Sequence, residues 1–547
     1  MPHKTRLFLI SAVAGLFLCS ALAGSGYSLY LNRMRIIATL KAAVKRTIIP
    51  AQRQKRFKTP NPPSEIAQNG DITVTIKPSL KLAAINPLIY GSNLAPQMES
   101  EEDIIAFIKD TGITCLRYPG GGTPGYHWKT GLSDFSSRSN EAPLRNISYL
   151  VDFCKRNNTQ LVIQVNVESG TAEEAAAWVE RMNKQIGFPV QYWEIGNEVY
   201  GYWYRGHMSA RNYARLLKRY SMAMKKVDPS IKIGANWGMS WYNGFNKTII
   251  KEAADYIDFL SYHWYPNHTN ATHQFKGRIH PIPKEVMSNA LEIPYIVKNA
   301  NDIIAKYAPK RKGKIEFTVL EWDGAWDAPN SDSPPYSQGI AGWSLANAIF
   351  YADCLGQFAK NKVQVATHYL LQDINFGLLR GWDRRAGWGG QRWDQETVRP
   401  KAFAIKLFSK YFGDILIEST VENAPAYIKE PDSWPDSYTG YVPYVACYAS
   451  VFSNKDKLAI VLINKHQSKD FKVRLLVQDV KLKPNGKLVM FSGQDLMAEN
   501  DANPLNVRWK EYSIENVKND TRYTIPARSV NLLEFEIDKG EGTIESR

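Results

Sequence analysis

Gln160 to Glu198 reads QLVIQVNVESGTAEEAAAWVERMNKQIGFPVQYWEIGNE, and its hydrophobic spacing changes twice along that length. Gln160 to Val167 is a short apolar run rich in β-branched residues, as a strand buried on both faces requires. Thr171 to Gln185 spaces its apolar residues for a helix, and Gln191 to Glu198 is again a short apolar run. Two strands joined through a helix make a parallel βα unit, because parallel neighbours need a long crossover.

The same alternation extends outward on both sides. Further strands are predicted at Leu88 to Asn93, Thr114 to Gly121, Lys232 to Trp237, Asp258 to Pro266, Lys314 to Asp323 and Val363 to Asp373. Helical patterns lie between them at Ser100 to Asp110, Ser209 to Val227, Glu285 to Tyr307 and Ala341 to Lys360, with a last one at Arg399 to Phe412. Eight strands so connected predict an α/β fold, a (β/α)8 TIM barrel over residues 85–413, with its active site at the C-terminal ends of the strands. An open doubly wound sheet is the alternative, but it calls for a Gly-rich phosphate turn after the first strand, and IYGSNLAP is not one.

After residue 413 the helices stop. Tyr444 to Phe452, Lys457 to Ile463, Phe471 to Leu476, Lys487 to Phe491 and Val530 to Ile537 read as strands of a C-terminal β-sandwich over residues 414–540. An early strand, Ile72 to Ile76 within 71–84, is expected to join it.

The formal charge of +15 invites a nucleic-acid partner, but eleven Lys and Arg with no acidic residue fall in residues 1–58. That leaves +4 on the other 489 residues, and no nucleic-acid motif accompanies the basic arm, so no nucleic acid is expected. Leu7 to Ala23 is an apolar segment behind Lys4 and Arg6 that ends in Ala21-Leu22-Ala23, as an export signal does. The apolar character continues to Leu31, so residues 1–31 also fit an uncleaved signal anchor, although the more basic following flank would then favour a cytoplasmic enzyme. In the basic stalk, 32–70, Ile36, Ile37, Leu40, Val44 and Ile48 sit at helical spacing between cations, suited to a membrane surface. The expectation is an exported, extracytoplasmic protein, secreted or membrane-anchored.

Cys19, Cys115, Cys154, Cys354 and Cys447 show neither a disulfide framework nor zinc-like spacing, and neither a cofactor nor a metal is expected. The 15 Trp and 29 Tyr suit a carbohydrate cleft, where sugar faces stack on aromatic rings, although most are core residues.

Glycoside cleavage by double displacement needs two carboxyl groups across one sugar. The fourth strand ends in Asn197-Glu198 and the seventh carries Glu321 in VLEWDGAW, so a barrel brings two Glu to its catalytic face. With YGSN (90–93), LRYPGGGTPGYHW (116–128), YWEIGNEVYG (192–201), SYHWYP (261–266) and LEWDG (320–324), the chain resembles the glycoside hydrolases with Asn-Glu on strand four and Glu on strand seven. Among these it most resembles the family 51 α-L-arabinofuranosidases, over roughly residues 75–540.

The resemblance implies a retaining hydrolase of polysaccharide or oligosaccharide, with Glu198 as acid/base and Glu321 as nucleophile. It places Asn197 on the sugar 2-hydroxyl, and Arg117 and Tyr265 on the Glu321 carboxylate, keeping Glu321 ionised while the more enclosed Glu198 stays protonated. His263 is a candidate pocket residue or a satisfied core histidine; Trp128, Trp193, Trp264 and Trp322 are candidate stacking platforms or packing residues. Two positions depart from the family: Ala95 stands where a sugar-binding Glu is expected, and Gly122 where the GGN motif has Asn. Loss of these polar contacts predicts altered sugar specificity. A non-catalytic carbohydrate-binding or envelope-associated barrel protein is the alternative reading.

Overall fold

The computed structural model describes residues 71–95, 101–121, 123, 125–133, 146–267, 283–324, 340–373, 376–380, 398–429, 436–501, 503 and 505–538. The signal or anchor segment and the basic stalk lie outside the described residues. Eight parallel strands close into a barrel in chain order: Gly91–Asn93, Cys115–Tyr118, Gln160–Val165, Tyr192–Ile195, Lys232–Trp237, Phe259–Trp264, Glu316–Trp322 and Ala366–His368. The eighth strand pairs back onto the first, Thr367 opposite Gly91 and His368 opposite Ser92, so the sheet has no edge. Closure excludes the open doubly wound sheet.

The barrel interior is layered because alternate residues of each strand point inward. Leu88, Cys115, Val162, Tyr192, Phe259, Leu320 and Val365 form an apolar floor. Gly234 belongs to it for a steric reason: a Cβ there would stand 2.1 Å from the Phe259 ring. Above the floor the inward residues turn polar.

Most strands hold the alternation to their ends, but the seventh does not. Opposite the sixth strand, Val319 pairs with Tyr262 and Glu321 with His263, leaving Leu320 as an extra residue, a β-bulge. Phe317 and Val319 face the helices, so strict alternation would send Glu321 outward and Trp322 inward. The bulge reverses both. The Leu320 carbonyl is then held by Asn93 Nδ2 at 2.9 Å and Thr367 Oγ1 at 2.6 Å, from the first and eighth strands.

The helices match the sequence expectation at Glu101–Thr111, Ala210–Val227, Ile293–Tyr307, Leu345–Lys360 and Pro400–Tyr411. Ile147–Asn157 and Asn243–Ala253 are helices that the reading did not single out, the first capped by the Asn146 side chain on Ser148 and Tyr149 N–H. Past the barrel a nine-stranded mixed sheet folds over its own core, which includes Val74, Ile460, Leu462, Val473 and Phe535. The early strand Ile72–Ala84 pairs antiparallel with Ile415–Glu422 and parallel with Phe471–Val477. In strand Lys455–Asn464 the alternate residues Ala459, Val461 and Ile463 face the barrel helices instead. Buried Asp353, on helix Leu345–Lys360, accepts from Tyr448 at 2.5 Å and pairs with Lys465, fixing barrel and sheet together.

Candidate active site

Arg117, inward on the second strand, is fully buried and spends all five N–H donors on protein acceptors. Nε reaches Glu194 Oε2 at 2.7 Å; Nη1 reaches Glu321 Oε1 at 2.7 Å and Asn93 Oδ1 at 2.8 Å; Nη2 reaches Asn197 Oδ1 at 2.8 Å and Gln164 Oε1 at 3.1 Å. None is left for a sugar. Arg117 is instead the buried fork that sets the direction of Glu321 and Asn197.

Glu321 receives a second donor, Tyr265 Oη to Oε2 at 3.1 Å. Space for its carboxylate comes from Gly121, where a Cβ would lie 2.0 Å from Oε1. Glu198, at the end of the fourth strand, has a left-handed backbone, φ +44°, uncommon for a residue with a side chain. Its two oxygens face different donors: His263 Nδ1 lies 3.0 Å from Oε1, and Trp203 Nε1 donates to Oε2 at 2.6 Å.

His263 also lies 3.5 Å from Glu321 Oε2 and 3.6 Å from Glu194 Oε1. Burial lowers its pKa, but Glu321 and the hydrogen bonds to Glu194 and Glu198 outweigh burial and raise it to about 9. Burial likewise acts to raise the Glu198 pKa, but the bonds and charge of His263, with Trp203 and Arg117, hold it below the ordinary carboxylate value. Both shifts run against the expectation of a protonated Glu198 and favour the ion pair of the two groups.

Ligand atoms of Glu198, His263 and Glu321 all lie within 4.8 Å of one another. Such a trio is close enough to hold a cation, but the Arg117 guanidinium already supplies positive charge to Glu321, and His263, its pKa raised, faces both carboxylates.

Two further residues were not singled out in the sequence. Glu194, fully buried, accepts from Arg117, from Asn236 Nδ2 at 2.9 Å and from Ser261 Oγ at 2.5 Å; burial opposes its ionisation, yet Arg117 and His263 bring its pKa down to about 2. Its signal was a Glu inside an otherwise apolar strand, two residues ahead of the loop. Trp203, beyond Glu198 in YGYWYRG, gave no signal beyond the aromatic richness of that loop.

The candidate platforms lie elsewhere. Trp322, turned outward by the bulge, is buried and stacks on Tyr351 with centroids 4.2 Å apart. Trp193 and Trp264 share strands with inward Glu194 and His263 and so face outward, against Trp178 and Phe350. Trp128 stacks on Trp178 at 6.0 Å and donates to the Glu174 carbonyl. Ala95 is buried just past the first strand, and Gly122 lies outside the described residues.

A closed parallel barrel with two carboxylates facing each other from strand ends four and seven defines this chain as a glycosyl hydrolase. Within that class it is similar to the family 51 α-L-arabinofuranosidases. It is 24% identical over 492 residues to an intracellular exo-α-(1→5)-L-arabinofuranosidase of Acetivibrio thermocellus, covering 79% of this chain and 92% of that one. It is 23% identical over 528 residues to α-L-arabinofuranosidase C of Emericella nidulans, covering 85% and 97%. The thermostable family 51 α-L-arabinofuranosidase of Thermotoga petrophila superposes with a TM-score of 0.71 at 23% identity, over 85% of this chain and 100% of that one. No family model matches.

These relatives correct the expectation of export: several are named intracellular, and among the described residues no helix is long and apolar enough to cross a membrane.

Proposed function

We propose that the chain is a retaining glycoside hydrolase acting on an oligosaccharide or polysaccharide, with Glu321 as nucleophile and Glu198 as acid/base. The observation that carries this reading is that an oxygen of Glu198 and an oxygen of Glu321 lie within 4.8 Å of each other. A retaining enzyme keeps its pair about 5 to 5.5 Å apart, whereas an inverting one leaves roughly 6.5 to 9.5 Å for a water.

Glu321 Oε1 and Oε2 are held by Arg117 and Tyr265, so the carboxylate is aimed before substrate arrives. It attacks the anomeric carbon while the leaving-group oxygen takes a proton from Glu198. Glu198 draws that proton across the 3.0 Å contact with His263, whose pKa the surrounding carboxylates raise. Glu198, ionised again, then takes a proton from the water that hydrolyses the glycosyl-enzyme. Asn197, its oxygen fixed by Arg117, directs its N–H₂ end to the sugar 2-hydroxyl. Ala95 and Gly122 supply none of the polar contacts of the arabinofuranosidases, so specificity is altered and aryl α-L-arabinofuranoside is a weak substrate.

A panel of aryl glycosides tests the class and names the sugar. Glu321→Ala abolishes turnover, whereas Glu198→Ala keeps first-step cleavage of aryl glycosides with good leaving groups and is rescued by azide to a glycosyl azide of retained configuration. Rescue of Glu321→Ala instead would exchange the roles. A parent inert on every glycoside would leave the non-catalytic carbohydrate-binding reading.

A further inference from the structure

Trp203 and Trp241 are, among the described residues, the two tryptophans that stand more than half in solvent, 54% and 56% exposed. Both lie on the catalytic face, in the segments after barrel strands four and five. Tyr202, 66% exposed, sits beside Trp203 with ring centroids 5.3 Å apart. Tyr242 joins the two indoles, 6.3 Å from Trp203 and 6.5 Å from Trp241, and packs on buried Tyr200 at 4.9 Å. The rings therefore form one contiguous ledge in which neighbours meet edge to face, on a built foundation. Gly201 lets the Trp203 indole lie against the chain, since a Cβ there would stand 2.4 Å from it.

The ledge begins at the acid/base. Trp203 Nε1 holds Glu198 Oε2, whereas the other oxygen faces His263, which is the neighbour of Glu321. His263 is thus shared by the two carboxylates, and the indole lies at the other Glu198 oxygen. The acid flanks the scissile bond and protonates the leaving-group oxygen, so the units beyond that bond start at Glu198, where Trp203 stands. Exposed aromatic faces are poor partners for water and good ones for the C–H faces of sugar rings.

We infer that Tyr202, Trp203 and Trp241 bind the leaving-group side of the substrate, stacking on successive sugar units of an oligosaccharide or polysaccharide beyond the scissile bond. The inference rests on the hydrolase reading and adds to it the part of the substrate that sets chain-length preference.

The test takes the glycoside the enzyme turns over and compares an aryl leaving group with a disaccharide or trisaccharide leaving group carrying the same sugar. The parent gains kcat/KM as the leaving group lengthens. In Trp241→Ala, whose side chain is exposed, the ratio of long-chain to aryl kcat/KM falls about tenfold, mainly through KM. Tyr202→Ala lowers the ratio in the same direction. Tyr512→Ala, an exposed aromatic on the nine-stranded sheet, leaves the ratio unchanged. An active parent with no gain on longer leaving groups, or a ratio that Trp241→Ala and Tyr202→Ala do not move, overturns the ledge alone. A parent that hydrolyses no glycoside overturns the hydrolase reading and the ledge with it.

Discussion

Arg117→Lys keeps the charge of the buried fork and is expected to fail, because five acceptors surround the guanidinium and an ammonium has three donors. Two of Glu194, Glu321, Asn93, Asn197 and Gln164, all of them buried, must lose their bond. Each unpaired buried acceptor costs about 1–3 kcal/mol, which gives a destabilisation of about 2–6 kcal/mol. Glu321 also loses the bond that fixes Oε1, and a misplacement of about 1 Å in a reacting group costs about 100-fold in rate. Urea unfolding followed by tryptophan fluorescence at pH 7 reads the first quantity, and kcat on the best aryl glycoside reads the second. The loss should appear in kcat more than in KM, because Arg117 has no donor free for the sugar. A variant within about 1 kcal/mol of the parent and within threefold in kcat would refute the fork as the element that positions the nucleophile.

Gly121→Ala should lower kcat by about 100-fold or more while leaving the circular dichroism spectrum unchanged, since its Cβ would meet Glu321 Oε1 at 2.0 Å. Undiminished kcat would show that Glu321 can move without cost. His263, with a pKa raised to about 9, contributes stability that is full below its ordinary value of about 6.5 and lost as pH rises through about 9. Urea midpoints of the parent should therefore fall over that window while His263→Asn, less stable at pH 6, stays level and meets the parent above pH 9; parallel curves would remove the ion-pair account. Lys401→Met should cost about 3–5 kcal/mol by stranding buried Asp323, which Lys401 Nζ contacts at 2.6 Å. Adding Asp323→Asn should recover most of that loss in urea unfolding, and no recovery would mean that Lys401 acts by packing alone.

Eight short apolar runs separated by helical spacing were enough to specify the barrel and the strand ends that carry Glu198 and Glu321. The reason is local: which residues a strand or helix buries is written in its own periodicity. Three strands of the nine-stranded sheet were missed: Val507–Ile514 and Asp520–Ile525, whose side chains are largely exposed and polar, and Ile415–Glu422, where only Leu416 and Ile417 are buried, so no alternating buried face marked them. The direction of Glu321 was not local. By alternation alone Trp322 would enter the pocket and Glu321 would leave it; the bulge at Leu320 reverses this, and carbonyl contacts from Asn93 and Thr367, more than 200 and nearly 50 residues away, hold it there. The raised pKa of His263 was not local either, because it depends on Glu194, Glu198 and Glu321 converging from two different strands on one imidazole. Sequence thus determined which elements form and which residues end them, whereas only the closed tertiary structure decided where the charges and rings point, since those depend on distances between strands that no single segment contains.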